Sequence, residues 1–217
     1  MNPEDIESYV FRKKMDTMGN NNKTVYRVTL TAVFAALVFV ASVISVPVPA
    51  AFGMTRIHLG NIFCLLSGFI LGPVGGGLAA GIGSGLYDVI IYGDMLSAPF
   101  TLVFKGMMAV VCGMIAYLGD NRGENHKLNV VAGISGSVTY IILYLGKSFV
   151  EGLLLGSAMG TVLTALVTKA ITSGINGVIA VVVSVPLCAA VRWHAAAGSR
   201  PPYTGRCSTC RCSLCRC

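Results

Sequence analysis

The chain has 217 residues, 54% of them hydrophobic and 12% charged, with a formal net charge of +7 and a mean hydropathy of +0.74. A soluble domain carries roughly 25% charged residues, so this composition excludes a water-soluble globular protein and defines an integral membrane protein. The positive charge sits mainly in the two tails and one loop, where it orients membrane proteins rather than marking a nucleic-acid surface.

At ~20 residues per crossing, the length supports one domain of five to seven spans. Residues 1–24 are polar and read as a cytosolic N-terminal segment, with Arg12, Lys13 and Lys14 in a row. The first apolar run, about 25–46, is too long for a signal-peptide core of ~7–15 residues, and it is read as span 1. Pro47 and Pro49 close it, and Val48 to His58 is expected to be a loop carrying Arg56 and His58. A short span 2 at about 59–72 ends at Gly72-Pro73, a dipeptide that favours a tight turn. Span 3, about 74–92, is glycine-rich, and Gly93 to Ala98 is a turn holding Asp94. Span 4 occupies about 99–118, and Gly119 to Lys127 is the most charged internal loop. Spans 5 and 6 run over about 128–150 and 161–191. The predicted fold is therefore an all-α membrane protein, a compact bundle of six transmembrane helices over 25–192, followed by a Cys-rich cytosolic tail at 193–217 that is expected to be disordered.

Orientation follows from the basic residues. Arg12, Lys13, Lys14, Lys23 and Arg27 precede span 1, Arg122 and Lys127 lie between spans 4 and 5, and Arg192 to Arg216 follow span 6. Six spans bring all three groups to one side, which the positive-inside rule assigns to the cytosol. Both termini are then cytosolic in a multi-pass protein of the cell membrane.

With the spans threaded this way, the buried charges collect at the outer end. Lys105 lies ~9 Å into span 4 at 1.5 Å per residue. Lys147 and Glu151 sit at the outer end of span 5, Lys169 in the outer half of span 6 and Asp88 in the outer part of span 3. Arg56, His58 and Asp94 come from outer loops. A charge in hydrocarbon is costly and usually marks a site or a pathway. Helical spacing places Tyr140, Tyr144, Lys147 and Glu151 on one face of span 5. Lys169, Thr172, Ser173 and Asn176 share a face of span 6. Gly77, Gly81 and Gly85 continue into Asp88 and Tyr92 on one stripe of span 3, its glycines suited to close helix contact. These groups predict a polar pocket open to the outside, and the basic excess leans toward an anionic or zwitterionic ligand. For single residues plainer readings stay open: Lys147 also fits snorkelling or an i, i+4 pair with Glu151, and the tyrosines also fit interfacial anchoring.

The order of features along the chain resembles a known family. Span 1 opens Thr29-Leu-Thr-Ala-Val-Phe-Ala-Ala36; span 2 reads from Arg56-Ile-His-Leu-Gly-Asn61 to Leu71-Gly-Pro73 and leads into the glycine-rich span 3. Span 4 opens Pro99-Phe-Thr-Leu-Val-Phe-Lys-Gly106, and span 6 runs from Lys169-to-Asn176 to Pro186-Leu187. This arrangement is similar to the substrate-binding S component of an energy-coupling factor (ECF) transporter. The resemblance implies six helices, capture of a vitamin or related micronutrient from outside with high affinity, and no enzymatic activity or cofactor. It implies docking on a transmembrane T subunit with two cytosolic ATPase subunits, and delivery by toppling of the S component in the membrane. In the family a small-residue pattern on helix 1 contacts the T subunit; Ala32 and Ala36 match it here, although alanines at this spacing also fit internal packing. The ligand-binding candidates are Arg56, His58, Asp88, Tyr92, Lys105, Tyr144, Lys147, Glu151, Lys169 and Asn176.

Absent motifs agree. No Walker A sequence is present, and Gly75-Gly-Gly77 and Gly81-x-Gly-x-Gly85 lack the following Lys-Ser/Thr. No metal cluster or catalytic dyad stands at helical spacing. A self-sufficient small secondary transporter or channel is the alternative; the expected internal repeat is not evident between 25–118 and 128–191. The closing run Cys207-Ser-Thr-Cys210-Arg-Cys212-Ser-Leu-Cys215-Arg-Cys217 has soft-metal ligands but not the spacing of a structural zinc domain, and no function is assigned to it.

Overall fold

The computed structural model describes residues 3–49, 54–118 and 125–198. Five α-helices account for most of them: α1 (Pro3–Val43), α2 (Gly60–Tyr87), α3 (Ala98–Ala116), α4 (His126–Leu154) and α5 (Met159–Gly198). Each supplies a stretch long and apolar enough to cross a membrane, that of α2 running on into the turn after it: Thr24–Val43, Gly60–Ile91, Ala98–Ala116, His126–Leu154 and Met159–Arg192. The predicted spans 2 and 3 are both parts of α2. The polar N-terminal segment is continuous with span 1 in α1, and α5 runs six residues beyond the boundary expected at 192. The Cys-rich residues 199–217 and the loop cation Arg122 lie outside the described residues.

The segment expected as a loop before span 2 is instead a β-hairpin. Strand β1 (Ser45–Pro49) pairs antiparallel with β2 (Met54–His58), in a register that sets Ser45 opposite His58 and Pro47 opposite Arg56. Helix α1 ends at Val43, ahead of Pro47 and Pro49; both prolines lie in β1, an edge strand, where proline is tolerated because only some N–H groups join the ladder.

Helix α2 reverses at Gly72, whose φ of 79° and ψ of −172° are not helical. Pro73 explains the site of the break, because proline pushes the preceding residue out of the α region; only glycine tolerates that positive φ cheaply. The two arms then fold against each other. Ser67 Oγ donates to the Gly76 carbonyl at 3.1 Å, and Cys64 Sγ lies 3.8 Å from Ser84 Oγ. In a straight helix the latter pair would be ~30 Å apart. At the crossing, a Cβ on Gly76 would come within 2.7 Å of the Gly68 Cα. Ending the first arm leaves carbonyls without helical partners; Tyr117 Oη donates to Ile70 O at 2.9 Å, and Arg192 Nη2 to Phe69 O at 3.0 Å.

The α2 hairpin is the centre of the bundle. It packs on α1, α3 and α5; α3 also packs on α4, and α4 on α5. Phe69, Leu65, Met108, Val38 and Cys112 are fully buried there. The predicted glycine stripe serves close contact with α3: a Cβ at Gly81 would meet Leu102 O at 2.8 Å, and one at Gly77 would strike Val110. Large apolar side chains such as Val40, Ile82, Met114, Ile142, Val178 and Val182 point outward and are exposed. Hydrocarbon is the solvent that such a surface suits.

Candidate functional site

The hairpin, the end of α2, the start of α3, the end of α4 and the first half of α5 meet at one end of the bundle. They enclose a cavity of about 590 Å³ lined by Arg56, His58, Asp88, Lys105, Tyr144, Lys147, Glu151, Lys169 and Asn176. These are nine of the ten ligand-binding candidates, drawn from five separate segments. The tenth, Tyr92, closes the π-helical turn Asp88–Tyr92 that follows α2, and its side chain lies outside the described residues. A volume in the range of ~300–1,000 Å³ suits a drug-sized small molecule.

An aromatic pair forms one wall. The Tyr140 and Tyr144 rings are stacked, 5.7 Å between centroids and 7° between planes, as their i, i+4 spacing on α4 allows. Lys105 Nζ lies 5.4 Å from the centre of the Tyr140 ring, and Lys169 Nζ 5.7 Å from that of Tyr144. At the rim, Lys147 Nζ lies 5.1 Å from the Phe100 ring and 3.9 Å from Glu151 Oε2. Cations over ring faces are attracted by the ring quadrupole, more strongly once desolvated.

Lys105 reaches the cavity floor from α3. Its ammonium donates to Asn61 Oδ1 and lies 3.2 Å from His58 Nε2. Burial of the His58 ring, with Lys105 and then Arg56 beside it, holds its pKa well below the usual 6.5. The imidazole is therefore neutral, and Nε2 accepts from Lys105. The proton then sits on Nδ1, which is buried and has no hydrogen-bond partner. Lys169 donates to Ser148 Oγ at 3.0 Å across the α4–α5 interface.

Asn176 lines the cavity and also ties the hairpin to α5. Its Nδ2 donates to Arg56 O at 2.6 Å, and its Oδ1 accepts from His58 N at 3.1 Å. On a strand, the carbonyl of one residue and the N–H two residues on share an edge. The Asn176 amide thus pairs with the outer edge of β2 as a neighbouring strand would, and fixes the hairpin on α5. Tyr144 Oη donates to Thr55 Oγ1 at 3.5 Å, and Arg56 Nη1 to Tyr87 Oη at 2.8 Å. Asp94, at the mouth, accepts from Ser97 N at 3.0 Å; hydrogen bonds from Ser97 hold its carboxyl below the usual carboxylate range.

Three contributors escaped the sequence reading as site residues: Asn61, Thr55 and Ser148. Asn61 alone carried a signal, being a buried amide in an otherwise apolar run and three residues after His58. Ala32 and Ala36 both face outward from α1 and are exposed; α1 packs on α2 and touches β2 through its other end.

Comparison with known proteins bears on what such a cavity serves. The family model for the ECF-type riboflavin transporter S component matches residues 22–192. A protein of Pyrococcus woesei, described as an uncharacterized protein in gap 3'region, is 31% identical over 115 residues, which span 53% of this chain and 72% of that relative.

Proposed function

The chain belongs to the family of ECF-type riboflavin transporter S components, and from that premise we propose that it is the subunit that captures riboflavin or a related micronutrient with high affinity for uptake across the cell membrane. The family consists of transporter subunits and is not an enzyme family. In this reading the two arms of α2 are separate crossings, so the chain crosses six times with both termini in the cytosol. The pocket end then faces outside.

The observation that carries the proposal is the convergence of nine polar or charged side chains from five segments on one cavity at a single end of a membrane protein. Charge within a membrane bundle is costly, yet Lys105 and Lys169 are buried here and the other charged groups gather around the same cavity. Arg56, His58, Asp88, Tyr92, Lys105, Tyr144, Lys147, Glu151, Lys169 and Asn176 would contact the ligand, with Asn176 also holding the hairpin in place. A T subunit and two ATPases would supply the energy, and the exposed Ala32–Ala36 stripe of α1 would be the smooth face on which the T subunit packs.

Titration of the detergent-purified protein with riboflavin, followed by quenching of flavin fluorescence, tests the reading. Saturable 1:1 binding, together with cellular uptake only when T and ATPase subunits are co-expressed, is the expected result. Uptake by the chain alone would instead establish an independent carrier.

A further inference from the structure

Among the charged groups of the cavity, Lys105 and Lys169 are the two that are buried. Lys147 is paired with Glu151, Asp94 is held by Ser97, and Arg56 is engaged with Tyr87. Lys105 and Lys169 are only 3% and 7% exposed, yet every group within hydrogen-bond reach of their ammoniums is neutral; the carboxylates of Asp88 and Glu151 act on them from beyond ion-pair distance. Lys105 meets Asn61 Oδ1, the His58 imidazole and the Tyr140 ring. Lys169 meets Ser148 Oγ and the Tyr144 ring. Among the described residues neither forms an ion pair.

A buried charge is retained at a cost unless something neutralises it. Each ammonium has three N–H donors, so Lys105 and Lys169 both keep at least one for a further acceptor, and both face the same cavity. Their two rings are stacked neighbours, which sets both charges along one wall. Neutral hydrogen-bond acceptors would orient a ligand here but would leave both ammoniums without an ion pair.

We propose that the ligand itself supplies the counter-charge: the cavity selects a micronutrient bearing an acidic group, phosphate or carboxylate, that sits against Lys105 and Lys169. This rests on reading the cavity as the ligand site and goes beyond it, because riboflavin is uncharged at neutral pH. The acidic derivative of such a ring system would then be the preferred ligand, and the neutral vitamin the weaker one.

The test compares riboflavin, riboflavin 5'-phosphate and the N10-carboxymethyl flavin on the purified full-length protein at fixed ionic strength. At least one acidic flavin is expected to bind roughly 10- to 100-fold more tightly than riboflavin, the range for hydrogen bonds to charged groups. Which one does so identifies the acidic group. In Lys105→Gln and Lys169→Gln that preference should fall to within about threefold, while Lys127→Gln, at the far end of α4, should keep it. Riboflavin binding as tightly as both acidic flavins would overturn the proposal and leave the vitamin-capture reading intact. Should no flavin bind, that reading fails for flavins, and inorganic phosphate against chloride decides the present one. Thermal stabilisation by phosphate, lost in the Lys105→Gln, Lys169→Gln double variant, upholds it; no stabilisation refutes it.

Discussion

Removing the Asn176 amide is the perturbation that separates a positioned hairpin from an incidental loop. Asn176 is 5% exposed and spends both ends of its amide on β2, at 2.6 Å and 3.1 Å. In Asn176→Ala the Arg56 carbonyl and the His58 N–H lose these partners, each costing about 1–3 kcal/mol where water cannot replace the lost bond. The pair contributes roughly 2–4 kcal/mol to docking of the hairpin on α5, taking the lower part of that range because the hairpin edge regains some hydration. Arg56 and His58 ride on that strand, so a loosened hairpin removes two lining residues and weakens the hold on Lys105. Ligand affinity is expected to fall by about 30-fold or more, at 1.4 kcal/mol per decade. Asn176→Asp keeps the acceptor but loses the donor and sets a carboxylate against the Arg56 carbonyl, so it should rescue little. Titration calorimetry gives the affinity, and hydrogen exchange at the His58 amide reports the docking itself. Affinity within twofold of the unaltered protein, with unchanged protection at His58, would refute the pinning argument.

Further predictions concern the charges, the outer face, the turn and the histidine. Lys105→Met removes a buried ammonium that has no ion pair, so the empty protein should melt at the same or a higher temperature while ligand affinity drops at least tenfold; a lower melting temperature with unchanged affinity would make Lys105 structural. Ala32→Trp or Ala36→Trp, on the exposed side of α1, should block uptake in cells expressing the T and ATPase subunits without altering ligand affinity; loss of affinity would mean the stripe packs internally. Gly72→Ala forces a side chain into φ 79° and should destabilise the protein by about 1–3 kcal/mol, read as a lower melting temperature in detergent. His58 has a pKa below its usual 6.5 in the folded protein, so the unfolded chain binds more protons as pH falls below that value. Stability should therefore decline with acidification from about pH 6.5, and His58→Asn should flatten that decline in thermal melts.

Much of the architecture was legible because the bilayer writes a strong signal into composition. The apolar runs and the polar faces of α4 and α5 follow from local hydropathy and a period of 3.6, and the break at Gly72-Pro73 from the backbone chemistry of the dipeptide. Tyr140, Tyr144 and Lys147 do reach one cavity, as their shared face required. Periodicity states which face of a helix is polar but not which helix it meets. The Lys105–Asn61 contact joins residues 44 apart, and the Asn176–Arg56 contact joins residues 120 apart; no local pattern encodes either. The hairpin was hidden for a related reason. A strand pair with two prolines has weak intrinsic β preference, and much of its support comes from Asn176 and Tyr144 on distant helices.

Native mass spectrometry of the protein, purified without partners, tests most directly whether this cavity is a ligand-capture site. The account predicts one vitamin-like small molecule per chain, released on denaturation and absent from Lys105→Ala prepared the same way. An empty protein that also fails to take up added riboflavin or its acidic derivatives, or a ligand retained undiminished by Lys105→Ala, would contradict it.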